Sequence, residues 1–187
     1  MTQLMTEQGI VKVPAGTWKV DRAHSSVAFE VKHMMISTVR GLLSEYDGTL
    51  EAHEDPEQST VTGWAAAASI DTGNADRDAH LRGPDFFDAD RYPRMSFVST
   101  AIRHLEGGTY AVTGDLTIKG VTREVTVEAT VQGTGEDPWG NLRAGIAVRG
   151  SIDRTDFGLT WQSRLAGGGL LVGEEVNLLL DVSAIAS

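Results

Sequence analysis

Apolar and polar residues alternate along most of the chain, which is the pattern of β-strands with one buried face. Val27, Phe29 and Val31, for example, are separated by small or charged residues. Successive side chains of a strand point to opposite faces, so such a segment places its apolar residues together. We count eight or nine such segments joined by short turns, without the alternation of strands and long helices that parallel sheets show. The sequence therefore predicts an all-β, antiparallel sheet.

An insert at about residues 75–90 breaks this period of two. Asn74 or Asp76 can accept a hydrogen bond from a free backbone N–H at a helix start. Residues 77–82 then supply about two helical turns. Gly83-Pro84 ends the helix, because proline has no N–H and restricts the residue before it. A short helical insert in a chain of strands predicts a β-barrel with a lid over one end.

The predicted strands carry small side chains where a packed barrel would carry large ones. Val61, Gly63 and Ala65 share one strand face, and Trp64 lies on the other. Protein interiors are normally close-packed, so small inward residues leave room for a ligand. A plain barrel core filled by its own side chains is the alternative. We predict an apolar cavity whose wall is formed by Val27, Phe29, Val31, Val61, Ala65, Phe97, Val112, Leu116, Ile118, Ile146, Val148 and Leu178.

Composition narrows the classes of function. The 187 residues include 26 acidic and 16 basic side chains, giving a formal net charge of −10. Nucleic acids and anionic bilayer surfaces repel such a chain on average. The absence of cysteine excludes disulfides and thiol chemistry. We therefore expect no nucleic-acid partner.

The two ends of the chain differ from its middle. Residues 1–16 are polar and contain Gly9, Pro14 and Gly16, so we predict a flexible tail followed by one domain over residues 17–187. The chain has no basic start followed by an apolar signal core, and no run of about 18 apolar residues. These features predict a cytoplasmic protein without an integral membrane segment.

The titratable residues form no persuasive catalytic pattern. Among the five histidines, no pair has the i, i+2 or i, i+4 spacing that brings two metal ligands to one face, so we predict no metal and no cofactor. Asp21, His24 and Ser25 have the residue types of a hydrolase triad. A triad also needs its geometry and an oxyanion hole, and hydrogen bonding at a chain corner explains these residues more simply. We predict no catalytic residue.

Several motifs resemble those of the YceI-like family of lipocalin-like proteins. This resemblance implies an elongated eight-stranded antiparallel barrel with an apolar interior. It also implies that a long-chain lipid is held there: a polyisoprenoid, an isoprenoid quinone or a fatty acid derivative. The motifs are Ser-Ile-Asp-Thr at 69–72, Arg-Asp-Ala-His-Leu-Arg at 77–82, Asp-Phe-Phe-Asp at 85–88, Tyr-Pro-Arg-Met-Ser-Phe at 92–97, the stretch 114–122, Asp-Pro-Trp-Gly at 137–140 and Asp-Phe-Gly at 156–158.

We accordingly expect a non-catalytic barrel that sequesters or transports an isoprenoid-type lipid. His33, Arg77 and Arg154 are candidates for contacts with its polar head group, for which arginine offers a fork of donors. One alternative is an enzyme that acts on a lipid or a hydrophobic metabolite through His24, His33 or His80. Another is an interaction module that dimerises through Trp64 or an exposed edge strand and binds no small molecule. A homodimer is compatible with all three hypotheses.

Overall fold

Antiparallel strands build a closed barrel in the computed structural model, which describes residues 11–163 and 165–187. One α-helix, α1 (Ala75–Arg82), is present in these ranges. The strands are β1 (Gly16–Val20), β2 (Ser26–His33), β3 (Ser37–Leu43), β4 (Tyr46–Ala52), β5 (Thr60–Ala66), β6 (Ile70–Asp71), β7 (Arg94–Glu106), β8 (Thr109–Ile118), β9 (Val121–Glu136), β10 (Leu142–Asp153) and β11 (Val172–Ala186).

Three of the eight long strands of the barrel each consist of two segments: β1 with β2, β3 with β4, and β5 with β6. β1 and β2 both pair with β11, β1 also pairs with β4, and β2 pairs with β3. β5 pairs with β4 and β7, while β6 continues the β5 direction and pairs with β3. Together with β7 to β11 in sequential order, these pairings close a ring of eight long strands. The predicted all-β, eight-stranded, antiparallel lipocalin-like barrel with a short helix is confirmed.

One end of the barrel, here called the lid end, carries α1 and the loops near it. Asn74 caps the helix by accepting a hydrogen bond from the Arg77 N–H at 2.9 Å. The Asp78 side chain, only 6 % exposed, accepts a hydrogen bond from the Thr72 N–H at 2.9 Å. Arg82 donates to the carbonyls of residues 68 and 70, each at 2.9 Å. These bonds fasten the helix to the strand that precedes it.

The opposite end, here called the tail end, is filled by the segment before β1. Val13 is 7 % exposed and packs with Trp18, Ala144 and Ala184. The Val11 carbonyl accepts a hydrogen bond from the buried Tyr110 hydroxyl at 2.8 Å. Residues 11–15 of the predicted flexible tail are therefore packed against the barrel, because their apolar side chains cover its end. Residues 1–10 lie outside the described ranges.

An ionic corner joins the break between β1 and β2 to the β9–β10 connection. Arg143 donates to Asp21 at 2.6 Å through Nη1 and to Asp137 at 2.8 Å through Nε. The hydrogen bond from Arg143, followed by that from His24, lowers the pKa of Asp21 to about 2. Hydrogen bonds from Asn141 and then Arg143 hold the pKa of Asp137 well below its usual range. The corner depends on these carboxylates being ionised.

Replacing Arg143 with methionine should destabilise the fold more than the same change at Arg149. Arg143 is 24 % exposed and serves two carboxylates, whereas Arg149 is 46 % exposed and pairs with Asp181 alone. We expect Arg143→Met to lower the free energy of unfolding by about 1–3 kcal/mol and Arg149→Met by about 0–1 kcal/mol. Urea denaturation of both variants measures this. Equal losses would contradict the assigned role of the corner.

The pH dependence of stability gives an independent check on the corner. A carboxyl with a lowered pKa stabilises the folded state above its unfolded pKa, near 3.8 for Asp21, and this contribution disappears as the pH falls towards 2. The parent protein should therefore lose stability steeply between about pH 4 and pH 2. The Arg143→Met variant should lose less stability over that interval, because without the hydrogen bond from Arg143 the pKa of Asp21 lies closer to its ordinary value.

Candidate functional site

The inner wall of the barrel is apolar and incompletely covered by its own side chains. Around the middle, Leu180 lies opposite Val148 and Val27, and Val148 lies opposite Ala129. All four are only partly buried, although strands flank each of them. A fully packed core would leave such inward side chains without accessible surface. The inner wall therefore keeps accessible surface around the middle of the barrel.

Both ends of the lumen are more tightly packed than its middle. Phe157 is 1 % exposed and Phe86 is 5 % exposed in the apolar cluster at the lid end. Trp18 and Ala144 are each 1 % exposed in the cluster at the tail end. The wall residues that keep accessible surface, such as Val148 and Leu180, therefore lie between two side-chain clusters.

Two phenylalanine rings lie along the wall because each faces a glycine on the neighbouring strand. Phe29 is in register with Gly41, and a Cβ at Gly41 would overlap the Phe29 ring. A Cβ at Gly114 would come within 2.5 Å of Cζ of Phe97. The missing side chains let both rings rest against the sheet rather than extend across the lumen. Glycine at these two positions therefore widens the space available to a ligand.

The structure brings all twelve predicted wall residues to the inward face of the sheet. Ala65, Val112 and Ile118 are the most buried of them, at 9, 6 and 7 % exposure. Ala65 and Ile118 belong to the packed cluster at the lid end. The other nine keep accessible surface: Val27, Phe29, Val31, Val61, Phe97, Leu116, Ile146, Val148 and Leu178.

Arg154, a predicted head-group residue, is instead engaged by the backbone. It is 5 % exposed, and its Nε donates to the Gly173 carbonyl at 2.8 Å. Its Nη1 donates to the carbonyls of Leu159 and Trp161, and its Nη2 to that of Val172. Burial lowers the pKa of Arg154, against the opposing effect of Glu174 and Asp153. Four of its five N–H donors are thus used to hold the segment after β10 against the start of β11.

The other two head-group candidates lie on different elements of the lid end. Arg77, on α1, donates to the Thr72 hydroxyl and carbonyl at 2.6 and 2.9 Å. His33 is the last residue of β2 and lies in register with Val172 and Ser37. The structure therefore does not gather His33, Arg77 and Arg154 into one polar cluster.

One inward cation was missed by the sequence-based prediction. Arg123 lies opposite Leu116 and shares the inward face of β9 with Val125. It is the only lysine or arginine at an inward position in the strands that the structure describes. Its side chain is exposed and donates a hydrogen bond to the neighbouring Thr122 carbonyl at 3.0 Å. Because side chains alternate along a strand, the inward positions of Val121 and Val125 could have identified Arg123 as inward from the sequence.

Backbone pairing between two neighbouring strands of the barrel stops before it reaches Arg123. Pairing between β9 and β10 ends at Glu128 and Arg149, so residues 121–127 and 150–153 do not pair with each other. A groove of about 790 Å³ crosses the outer face at this point, and inward residues such as Val127 and Leu178 also line it. A second groove, about 460 Å³, lies outside the lumen between β6 and α1. The first groove therefore reaches the inner wall from the side.

Two of the three histidines named for catalysis, His24 and His80, have structural partners. His24 Nδ1 lies 2.7 Å from Asp21, whereas the Ser25 hydroxyl donates to the Asp21 carbonyl at 2.7 Å. His80 Nε2 lies 2.9 Å from Asp85, and its ring contacts Phe86 and Trp161 edge to face. Across residues 11–163 and 165–187, no cluster of three potential metal-ligating side chains occurs.

In the same ranges, no helix has the length and apolar character needed to cross a bilayer.

Comparison with known proteins identifies relatives along almost the whole chain. Protein YceI of Shigella flexneri is 36 % identical over 174 residues, covering 91 % of this chain and 87 % of that protein. The crystal structure of Burkholderia cenocepacia BcnA matches with a TM-score of 0.76 and 28 % identity, covering 88 % of this chain and 98 % of that one.

A third structure is more distant in sequence. It is a polyisoprenoid binding domain from Saccharophagus degradans, implicated in plant cell wall breakdown. Its TM-score is 0.69 at 14 % identity, with coverage of 91 % of this chain and 98 % of that domain. This similarity concerns the fold alone. The model of the YceI-like domain matches residues 18–184, and the chain therefore belongs to the YceI-like family.

Proposed function

We propose that this chain binds a long-chain, isoprenoid-type lipid in the barrel lumen and sequesters or transports it without catalysis. The ligand would be a polyisoprenoid, an isoprenoid quinone or a fatty acid derivative. The observation that carries the proposal is the accessible surface of inward residues such as Val148 and Leu180 between two packed ends. The shared fold of the Saccharophagus polyisoprenoid binding domain supports it.

The binding energetics favour selection of the ligand by its hydrocarbon tail. Each CH₂ group removed from water contributes roughly 0.8 kcal/mol, so ten carbons contribute about 8 kcal/mol before the cost of ordering the chain. An ion pair at an exposed residue such as Arg123 adds only about 0–1 kcal/mol. The wall should therefore discriminate by tail length and thickness, and the head group should modulate affinity.

The contacts of the alternative candidates favour binding over catalysis. The rings of His24 and His80 are each held by a carboxylate, and no serine hydroxyl in the described chain hydrogen-bonds to either. A non-binding dimeric module would need a filled lumen, which the partly accessible wall does not support. Trp64, the proposed dimer contact, carries the Arg94 guanidinium 4.0 Å from its ring centroid. A homodimer of the lipid-binding barrel stays a prediction.

Native mass spectrometry of freshly purified protein tests the proposal directly. We expect an adduct of defined mass that organic extraction releases as a hydrophobic molecule with a long hydrocarbon tail. Stripped protein should then take up added polyprenol, ubiquinone or hexadecanoic acid. A chain that carries no hydrophobe and takes up none of these three probes would refute lipid binding in the lumen.

Gly41→Ala should weaken lipid binding by moving the Phe29 ring away from the wall. The new Cβ would overlap that ring and lie 3.0 Å from Thr72 Cγ2. Overpacking of this kind costs about 1–3 kcal/mol of stability, and the displaced ring would occupy ligand space. Gly145→Ala is the matched control, because Gly145 lies on the outward face of β10 and its Cβ would meet nothing closer than the Gln132 Cβ at 3.7 Å. Fluorescent fatty-acid titration should show weaker binding for Gly41→Ala only, and equal affinities would contradict this assignment of the wall.

Arg123→Gln should discriminate between charged and neutral head groups on the same tail. We expect a loss of about fivefold for hexadecanoate, within the 0–1 kcal/mol of an exposed ion pair, and no change for hexadecanol. Arg103→Gln, which removes an exposed arginine from the outward face of β7, is the control. Isothermal titration with both ligands measures the effect. Equal losses for the two ligands would mean that Arg123 supports the wall and does not contact the head group.

A further inference from the structure

The turn between β2 and β3 presents three consecutive apolar residues to solvent. Met34, Met35 and Ile36, here called the hydrophobic tip, are 38, 60 and 81 % exposed. They connect His33 to Ser37, which lie opposite each other in the hairpin. Isolated exposed apolar residues are ordinary on protein surfaces, whereas a contiguous group marks a contact site.

The backbone of the hydrophobic tip is unfavourable for the side chains that it carries. Met34 and Met35 have φ angles of 53° and 61°, and the Ile36 N–H donates to the His33 carbonyl at 3.2 Å. Two adjacent positive φ angles are typical of a type I′ turn, which favours Asn-Gly. Bulky residues rarely adopt this conformation, and such outliers cluster where a side chain has a function. Two methionines in this turn therefore indicate a role other than closing the hairpin.

The hydrophobic tip belongs to the lid end of the barrel. The Met34 N–H donates to the Leu171 carbonyl at 2.8 Å, which ties the tip to the loop before β11. The buried Arg154 holds the start of β11, directly after this loop, through the Val172 and Gly173 carbonyls. The tip is thus held at the rim of the barrel by hydrogen bonds to its neighbours.

We propose that the hydrophobic tip inserts into the surface of a lipid bilayer and docks the lid end there. The inference rests on the proposed function, since a lipid carrier must exchange its ligand with a membrane. The size of the tip favours a bilayer over a protein partner. Three side chains on a convex turn fall far short of the roughly 800 Å² per partner that a stable protein interface buries. Methionine and isoleucine can enter the boundary between head groups and acyl chains without a complementary surface.

The charge around the tip also suits a bilayer surface. Within residues 30–40 the chain carries Lys32 and Arg40 but only one acidic residue, Glu30, whereas the whole chain has a net charge of −10. Arg40 pairs with Glu30, and Lys32 contacts the neutral Thr38 hydroxyl at 2.9 Å. Lys32 therefore remains as a local cation beside the tip. Glu174 and Glu175 lie exposed at the start of β11 next to β2, so insertion relies on the apolar side chains of the tip more than on charge.

The test uses the double substitution Met34→Asn and Met35→Gly, which installs the residues that a type I′ turn favours. Vesicles of phosphatidylcholine with a minor fraction of phosphatidylglycerol are floated with the full chain. We expect the double variant to bind vesicles at least tenfold more weakly than the parent while its melting temperature stays equal or rises. Opposite effects on binding and stability separate docking from a folding defect.

Two control variants locate the contact. Val98→Ser removes an apolar residue that is 51 % exposed on the barrel side, and Trp139→Ser removes one that is 82 % exposed in the β9–β10 turn. Both should bind vesicles like the parent. Docking at the tip is overturned if the parent does not float with vesicles, if the double variant floats equally well, or if only Trp139→Ser loses binding.

The proposed function is measured separately, by titrating soluble fluorescent fatty acid without vesicles. The double variant should retain the parent's affinity, because the tip is outside the lumen. Loss of vesicle binding with retained fatty-acid binding supports docking. Absence of fatty-acid binding in the parent would instead refute the lumen as a lipid site, whatever the vesicles show.

Discussion

The closed ring of hydrogen-bonded strands is the constraint on which the rest of the structure depends. Eight strands enclose an interior that ordinary apolar side chains can just fill, so the sizes of the inward residues decide whether it is solid or hollow. Here glycine occupies inward positions on five strands, at Gly41, Gly48, Gly63, Gly114 and Gly150. Each removes a side chain from the lumen without breaking the ladder around it. The ring thus supplies stability while its inner face is left thinly covered.

When such a barrel is closed, polar groups at its ends become buried and need hydrogen-bond partners. Arg154 is a clear case, since its guanidinium is nearly inaccessible and meets four backbone carbonyls. An unpaired buried charge would cost several kcal/mol, whereas donors matched to carbonyls of irregular segments hold those segments in place. Asp78 performs the same task at the other side of the lid end. Among the residues that the structure describes, no buried side-chain polar atom lacks a partner.

Local signals explain what the sequence could predict. Alternation with period two identified the strands and the inward face, and Asn74 marked the start of the helix because capping involves residues only three positions apart. The burial of Arg154 was not predictable in this way. Its partners follow it by up to nineteen positions and are backbone atoms, which leave no trace in composition. Ala65 was correctly placed inward, yet its packing depends on Phe86 from the lid, a tertiary contact.

The two ends of the barrel have different structures, and this difference gives the molecule a direction. The tail end is sealed by Trp18 and Val13 from the chain itself. At the lid end, the pairing of β9 with β10 stops, Arg123 lies on the inward face of the unpaired part of β9, and the β2–β3 turn exposes apolar residues. Each of these three features would weaken a barrel whose only task was to be stable. Because the tail end is closed by the chain itself, the incomplete pairing of β9 and β10 makes the lid end the more open end of the barrel.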